Sequence, residues 1–224
     1  ASSYEARAYG VRSAMSSAKA MELCPGLLIV PPRFSLYRRV SKEMHEIFRN
    51  YTQLIEPLSL DEAYLDVSEA THFDGSATRI AFDIRSKVRD RLRITVSAGV
   101  APNKFLAKVA SDWNKPDNQF TITPEEIPSF IMNLPVKKIN GVGHVTAKKL
   151  ADMGVRKCGD LQKIEITDLV KRFGKYGPRL ANLAIGLDNR PVQATHQRKS
   201  ISVERTYPED LSNYSDIEHA MNKI

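Results

Sequence analysis

Two adjacent acidic residues, Asp61 and Glu62, interrupt an apolar-rich stretch and so limit how this part of the chain can fold. The segment I-E-P-L-S-L-D-E-A-Y-L-D-V places them between the runs 54–60 and 63–67, which are typical of two short strands. A tight turn between these strands would hold both carboxylates at its tip. Two Mg²⁺ ions about 3.5–4 Å apart would relieve the repulsion between the carboxylates and promote phosphoryl transfer. Considered alone, such a pair is more often an ordinary solvated acidic turn, and a metal site is the alternative that the rest of the sequence has to support.

The elements around this hairpin predict an α+β fold. Apolar residues recur at helical spacing over about 35–52 and again over about 76–92, where Ser76 is in position to cap the second helix. The sequence R-I-T-V-S-A-G-V at 93–100 predicts a mostly buried strand. The order helix, strand, strand, helix, strand matches the split β-α-β-β-α-β pattern of a ferredoxin-like sheet without its first strand. We therefore expect this chain to be an interior part of a longer protein.

The second half of the sequence is basic and predicts short helices. The net charge is +7 with a pI near 9.4, and residues 124–198 hold 13 Lys and Arg against 7 Asp and Glu, or +6 of that total. A basic excess confined to one region favours an anionic partner, with nucleic acid the first candidate. Residues 190–199 then read as a polar linker, and the alternation in K-S-I-S-V-E-R-T-Y at 199–207 predicts the start of another strand.

One motif in the basic region predicts contact with a phosphate backbone. K-K-I-N-G-V-G-H-V-T-A-K-K-L, at 137–150, matches the hairpin and second helix of a helix–hairpin–helix. Gly141 and Gly143 permit a tight turn whose amides, at a helix N-terminus, can face a phosphate oxygen. Lys148 and Lys149 add positive charge, and such contacts bind DNA without reading its sequence. The alternative is a glycine-rich turn between two helices that pack in the core.

Two further groups of residues suit a triphosphate. Tyr4, Arg7 and Arg12 lie close together in Y-E-A-R-A-Y-G-V-R-S-A-M, and an Arg side chain can bind a phosphate group bidentately. Lys115, which precedes Pro116, would neutralise a leaving pyrophosphate. Considered alone, each group is more often ordinary charged surface.

Composition argues against several classes of protein. Cys24 and Cys158 lack the spacing of a zinc site or a disulfide framework, which fits a reducing compartment. No apolar run approaches the roughly 18 residues of a membrane span. The five histidines are dispersed without the spacing of metal ligands. We therefore expect a cytoplasmic protein with no membrane partner.

Four motifs in a fixed order resemble a known family. They are Y-E-A-R-x-x-G-V-R-S-A-M, S-L-D-E-A-Y-L-D-V, S-A-G-V-A-P-N-K-F-L-A-K-V-A-S-D-x-N-K-P and I-N-G-V-G. The chain is similar over essentially its whole length to the Y-family DNA polymerases, most closely to the bacterial DNA polymerase IV (DinB) branch. This resemblance implies template-directed DNA synthesis by a low-fidelity translesion polymerase that uses two Mg²⁺ ions.

The resemblance also implies roles for single residues. Asp61 would be a ligand of catalytic Mg²⁺, and Glu62 would complete the metal site beside the primer 3′-hydroxyl. The residues implied to hold the incoming dNTP are Tyr4, Arg7, Tyr37 and Lys115. The thumb would bind duplex DNA through Gly141, Gly143, Lys148 and Lys149.

The implied organisation and partners follow the family. The domains would be residues 1–32 as partial fingers, 33–123 as an incomplete ferredoxin-like palm, 124–189 as an all-helical thumb with its helix–hairpin–helix, 190–199 as a linker and 200–224 as the start of the little finger. The partners would be primer–template DNA, dNTP and a sliding clamp, the last bound through a C-terminal region outside this chain. We expect a monomer in the bacterial cytoplasm, associated with the nucleoid.

The chain also departs from the family pattern. In the family, the first palm strand carries an essential metal-binding Asp and an aromatic gate that discriminates between sugars, and neither lies within this sequence. Asn140 stands where a Pro is usual in the thumb hairpin. We therefore expect residues 1–224 alone to be nearly inactive.

Two other functions stay open at this point. A non-catalytic DNA-binding module would explain the basic region at 124–198 but would leave Asp61, Glu62 and Lys115 without a role. A nucleotidyl cyclase has a similar palm with acids at a hairpin tip, but it would leave the basic helical half unexplained.

Overall fold

The computed structural model describes residues 2–195, 199–205, 207 and 209–222. The helices in this part of the chain are α1 (Tyr4–Ala8), α2 (Ser17–Leu23), α3 (Phe34–Arg49), α4 (Ala77–Leu92), α5 (Lys104–Ser111), α6 (Ile127–Asn133), α7 (His144–Asp152), α8 (Cys158–Leu161), α9 (Ile166–Phe173), α10 (Gly177–Ala184) and α11 (Tyr214–Met221). The strands are β1 (Ile55–Pro57), β2 (Ala63–Leu65), β3 (Ala98–Val100) and β4 (Gln119–Thr121). Among these helices, none is long and apolar enough to cross a membrane.

The predicted acidic hairpin is present. β1 and β2 pair antiparallel with Glu56 opposite Tyr64, and the turn closes with the Leu58 amide donating to the Glu62 carbonyl over 2.8 Å. β3 and β4 pair in parallel and form a second sheet. The pattern predicted a ferredoxin-like sheet without its first strand. The described residues form two separate two-stranded sheets, and no hydrogen-bonded ladder among them joins β1 or β2 to β3 or β4. The first strand is central in a ferredoxin-like sheet, so a sheet without it is expected to fall into two such pairs.

The predicted helices flanking the hairpin are confirmed as α3 and α4. Ser76 caps α4, since its hydroxyl accepts a hydrogen bond from the Arg79 amide at 3.4 Å. Of the strand predicted at 93–100, residues 98–100 are confirmed as β3, and the prediction is wrong for residues 93–97. The carbonyl of Val96 accepts from Arg85 Nε at 3.0 Å, so a side chain takes a group that a neighbouring strand would otherwise use.

Apolar packing divides the described chain into three clusters. One lies between α3, α4 and the hairpin, and a small one lies between α1 and α2. The third joins α5 to the helices α6–α10, with Phe105 and Leu106 in the same cluster as Leu150 and Leu180. α5 therefore shares its core with the basic helical half, which fixes its position relative to that half.

The polar side of α5 meets the hairpin at a buried ion pair. Lys104 Nζ lies 2.7 and 2.5 Å from the two carboxylate oxygens of Glu56, and these residues are 7% and 6% exposed. The same ammonium donates to the Pro191 carbonyl at 3.1 Å and stands 5.1 Å from the ring centroid of Tyr64. The Gln193 amide donates to Glu56 at 2.8 Å. The hairpin, α5 and the segment after α10 therefore meet at one polar junction.

The strand predicted near the C-terminus, at 199–207, is not observed in the described residues. Described residues 199–205 form no strand, so the strand predicted there is wrong for them. An alternating segment needs a neighbouring strand for its hydrogen bonds, and the described part of the chain pairs none with it. Residues 196–198 of the predicted linker and 206 of the predicted strand lie outside the described residues. α11, capped by the Asn213 side chain, was not predicted.

We predict that Lys104→Met lowers the free energy of unfolding by about 3 kcal/mol, because it removes the ammonium from beside a buried carboxylate. The double variant Glu56→Gln/Lys104→Met should recover part of that loss, since it neutralises both charges. Urea unfolding of the single and double variants measures the coupling. A loss below about 1 kcal/mol for Lys104→Met would contradict this account of the junction.

Candidate functional site

The tip of the hairpin holds both predicted carboxylates within a short turn. Asp61 is exposed, and its Oδ1 accepts a hydrogen bond from the Ser59 hydroxyl at 2.6 Å. The Ser59 hydroxyl in turn accepts from the Asp61 amide at 3.3 Å. The Glu62 carbonyl accepts from the amides of Leu58 and Ser59, which closes the turn. Ser59, to which the sequence assigned no role, therefore orients the Asp61 carboxylate.

Glu62 is directed towards α5. Lys108 Nζ lies 2.6 Å from its Oε1, and the side chains of Lys108 and Glu62 are 20% and 42% exposed. The sequence alone does not identify Lys108 as the partner of Glu62. A cation from α5 thus stands beside a carboxylate that is predicted to bind a metal cation.

The end of α5 holds Lys115. Asp112, the C-cap residue of α5, forms an ion pair with Lys115. Lys104, Lys108 and Asp112 recur every four residues and so lie on one helix face, about 6 Å apart along the axis. The partners of Glu62 and Lys115, which are Lys108 and Asp112, therefore lie one turn apart on the same helix.

The sequence does carry a signal for this face. K-F-L-A-K-V-A-S-D places a charge at every fourth residue, which indicates a single charged stripe on a helix. The spacing does not identify the partners of these charges, because the carboxylates of the hairpin lie more than 40 residues earlier in the chain.

The donor atoms at the tip suit a hard divalent cation. Mg²⁺ is usually bound by one or two carboxylates, with water and substrate phosphates completing its octahedron. Asp61 and Glu62 supply carboxylate oxygens of this kind. In the described part of the chain, no group of three or more His, Cys, Asp or Glu residues is arranged to hold a metal ion. The two carboxylates of the tip therefore fit a cation that takes its other ligands from water and substrate phosphates.

The predicted nucleotide residues near the N-terminus lie on two different helices. The Arg7 guanidinium lies 5.3 Å from the ring centroid of Tyr4 on α1, and its Nε donates to the Ser2 carbonyl at 3.1 Å. Tyr37 is exposed on α3 and packs edge-on against Phe34. The structure thus brings Tyr4 and Arg7 together. No hydrogen bond or ion pair between described residues joins them, or Tyr37, to the hairpin tip.

The N-terminus of α7 has the features expected of a phosphate-binding turn. Gly143 is its N-cap, and within the described part of the chain no side chain caps its first amides. Lys148 and Lys149 are exposed on the same nine-residue helix. Backbone amides at a helix N-terminus attract anions, and nearby lysines strengthen that attraction.

The two glycines of this turn differ in backbone conformation. Gly141 has a φ of +97°, and a Cβ there would lie 2.9 Å from Tyr176 Oη. Burial raises the pKa of Tyr176, whose buried hydroxyl has no hydrogen-bond partner among the described residues. Gly143 has a φ of −77°, and a Cβ there would meet no atom of the described residues within 4 Å. The turn therefore requires glycine at Gly141, whereas the backbone of Gly143 is one that any residue could adopt.

Comparison with known proteins gives consistent matches in both halves of the chain. A family model described as the impB/mucB/samB family matches residues 1–112, and one described as the DNA polymerase-iota thumb domain matches residues 137–188. DNA polymerase IV of Pseudomonas paraeruginosa (strain DSM 24068 / PA7) is 63% identical over 209 residues, covering 93% of this chain and 60% of that protein. DNA polymerase IV of Pseudomonas syringae pv. syringae (strain B728a) is 62% identical over 208 residues, covering 93% and 59%.

Solved structures show the same likeness. DinB from Sulfolobus solfataricus has a TM-score of 0.78 and 34% sequence identity, covering 85% of this chain and 57% of that one. An insertion ternary complex of Dbh DNA polymerase also has a TM-score of 0.78 and 34% identity, covering 85% and 56%. The chain spans about 60% of the length of the curated relatives that it matches.

We predict that Lys108→Met tightens binding of Ca²⁺ at the hairpin tip about fivefold, since it removes a competing positive charge from beside Glu62. Isothermal titration calorimetry on the full-length protein measures the affinity. Lys108→Arg, which keeps the charge, is the control and should bind as the unchanged protein does. Equal affinity for Lys108→Met and the unchanged protein would show that Lys108 does not compete.

We also predict that the two glycines separate stability from anion binding. Gly141→Ala should lower the free energy of unfolding by about 1–2 kcal/mol, because alanine is strained at positive φ and meets Tyr176. Gly143→Ala should change it by less than about 0.5 kcal/mol but weaken duplex DNA binding, since a methyl group obstructs the approach of a phosphate. Thermal unfolding and fluorescence anisotropy measure the two effects. Equal destabilisation by both substitutions would be incompatible with the backbone geometry.

Proposed function

The chain belongs to the impB/mucB/samB family, and from this premise we propose that the protein is a template-directed DNA polymerase of the low-fidelity, translesion kind. The observation that carries the proposal is the charged face of α5. On this face, Lys108 pairs with Glu62 at the acidic hairpin tip, and Asp112 pairs with Lys115, the predicted triphosphate ligand. Both are thereby attached to one helix. The other side of that helix packs into the core of the basic half.

The proposed reaction is attack of the primer 3′-hydroxyl on the α-phosphate of the incoming dNTP, in line with the departing pyrophosphate. Two Mg²⁺ ions bound at Asp61 and Glu62 would supply the positive charge that offsets the negative charge developing on the attacking and leaving oxygens. Glu62 exchanges its contact with Lys108 for this role. Asp61 is held ready by its hydrogen bond from Ser59.

The positive side chains bind the other end of the nucleotide. Lys115 leaves Asp112 and pairs with the phosphates, where an ammonium neutralises charge on the leaving group. Arg7 binds the triphosphate bidentately, and Tyr4 and Tyr37 contact the nucleotide beside it. Each of these contacts positions the α-phosphate for attack rather than changing its chemistry.

Duplex DNA is held by the thumb through sequence-independent contacts. The first amides of α7, next to Gly143, bind a backbone phosphate, and Lys148 and Lys149 displace counterions from the duplex. A polymerase must advance over every sequence, and contacts to phosphates alone permit this.

The wider organisation is proposed from the family. It comprises partial fingers at 1–32, a palm at 33–123, a thumb at 124–189, a linker at 190–199 and the start of a little finger at 200–224. We propose that the protein works as a monomer on primer–template DNA in the bacterial cytoplasm, at the nucleoid. A sliding clamp is proposed to recruit it.

A non-catalytic DNA-binding module is the second candidate, favoured by the uncapped N-terminus of α7 and its exposed lysines. It requires the thumb but leaves Asp61 and Glu62 without a role. A nucleotidyl cyclase requires the acidic tip and leaves the basic thumb without one. Substitutions in the two regions therefore separate the three functions.

We predict that Asp61→Asn and Glu62→Gln in the full-length protein abolish primer extension with Mg²⁺ and dNTP while leaving DNA affinity nearly unchanged. Each substitution removes a carboxylate charge without changing the shape of the side chain. Primer extension on a gel and fluorescence anisotropy with duplex DNA measure the two properties. Retained extension in both variants, or its absence from the unchanged protein, would refute the proposed function.

The complementary variant is Lys148→Ala/Lys149→Ala. It should weaken DNA binding and make the negative slope of log K against log salt less steep by about 1.8, because two phosphate contacts are lost. Extension should recover at saturating DNA concentration. If DNA affinity stays unchanged at all salt concentrations, the assignment of these lysines is wrong.

A further inference from the structure

Two arginines on one face of α4 converge on a single carboxylate. Arg89 Nη2 lies 2.8 and 2.7 Å from Oδ1 and Oδ2 of Asp117, and Arg85 Nη2 lies 2.9 Å from Oδ1 and 2.6 Å from the Asp117 carbonyl. Arg85 and Arg89 are four residues apart, so both point from the same side of the helix. The Arg89 guanidinium, assisted by Arg85, holds the pKa of the Asp117 carboxyl below its ordinary value, which keeps the carboxylate charged.

Arg85 is one of the few charged residues buried in the described chain. Its side chain is 8% exposed, and its remaining described bond goes from Nε to the Val96 carbonyl at 3.0 Å. A buried guanidinium is stable only where its donors are satisfied. Through Nε and Nη2, Arg85 joins the residues just before β3 to Asp117, just before β4.

Asp117 belongs to the short loop 112–118 that carries Lys115. At one end of this loop, the Trp113 ring lies 4.8 Å from that of Phe130, between ring centroids. At the other end, Asp117 adopts a φ of +44°, which is uncommon for a residue other than glycine. Such a backbone persists only where surrounding contacts impose it, and the two arginines make those contacts. Lys115 lies between these two anchors.

We propose that Arg85 and Arg89 are positioning residues for nucleotide binding: by holding Asp117, they fix the loop that presents Lys115 to the triphosphate. This inference rests on the proposed function, since it takes the role of Lys115 from there. A lysine has four rotatable side-chain bonds, so the position of its ammonium depends on a fixed backbone. A backbone held in advance lowers the ordering cost of binding the triphosphate.

The test uses Arg89→Gln and Asp117→Asn in the full-length protein. Arg89 is half exposed, so its replacement should leave the fold intact, whereas Arg85 is buried and is left unchanged. The readouts are the dissociation constant of a fluorescent dNTP analogue with Ca²⁺ and duplex DNA present, and the KM and kcat of primer extension. Both variants should raise the dissociation constant and KM about three- to tenfold, with kcat and DNA affinity nearly unchanged.

Arg89→Lys should restore most of the affinity. Arg91→Gln removes the same charge from an exposed position of α4 and should have no effect.

A double-mutant cycle with Lys115→Ala then shows whether the arginine acts through the lysine. Arg89→Gln should weaken nucleotide binding in the unchanged protein but not in the Lys115→Ala background. If Lys115→Ala weakens binding and Arg89→Gln does not, or if the two effects add, the positioning role is wrong while the proposed function stands. If Lys115→Ala itself leaves nucleotide binding unchanged, the assignment of Lys115 is wrong and the positioning role falls with it.

Discussion

The buried ion pair between Lys104 and Glu56 lies where the hairpin, α5 and the segment after α10 meet. Each charge is removed from water and is stable only beside the other, so the hairpin cannot shift independently of α5. The remaining contacts of the site follow from that attachment. One turn further along α5, Lys108 meets Glu62, and at its C-cap Asp112 meets Lys115. The distance from the acidic tip to Asp112, the partner of Lys115, is therefore set by the rise of one helix.

The charges proposed to bind substrate are already paired within the protein. Glu62 is paired with Lys108, and Lys115 is paired with Asp112. Both pairs are partly exposed, and ion pairs of this kind contribute little to stability. A metal ion or a triphosphate can therefore displace the internal partner at small cost. The internal pairs hold the side chains near their working positions without making them unavailable.

The basic helical half depends on the same helix in a different way. Phe105 and Leu106 of α5 are buried in the cluster that also holds Leu150 of α7. The exposed N-terminus of α7 is thereby fixed relative to the hairpin through apolar packing. In the proposed function, the amides that hold duplex DNA and the carboxylates that act on its primer end belong to one connected body.

Local sequence patterns predicted much of the secondary structure of this protein. Helical periodicity predicted α3 and α4, two short apolar runs around a turn predicted the acidic hairpin, and the second half was predicted to form short helices. The positive φ of Gly141 explains why a glycine stands at that tight turn. Contacts between distant residues decided the rest. Lys108 and Glu62 are 46 positions apart, and Arg85 and Asp117 are 32 apart. The early part of the predicted third strand, at 93–97, was wrong because the Val96 carbonyl bonds to Arg85 instead of a strand. Periodicity shows which residues share a face, whereas the identity of a charge's partner depends on which faces packing brings together.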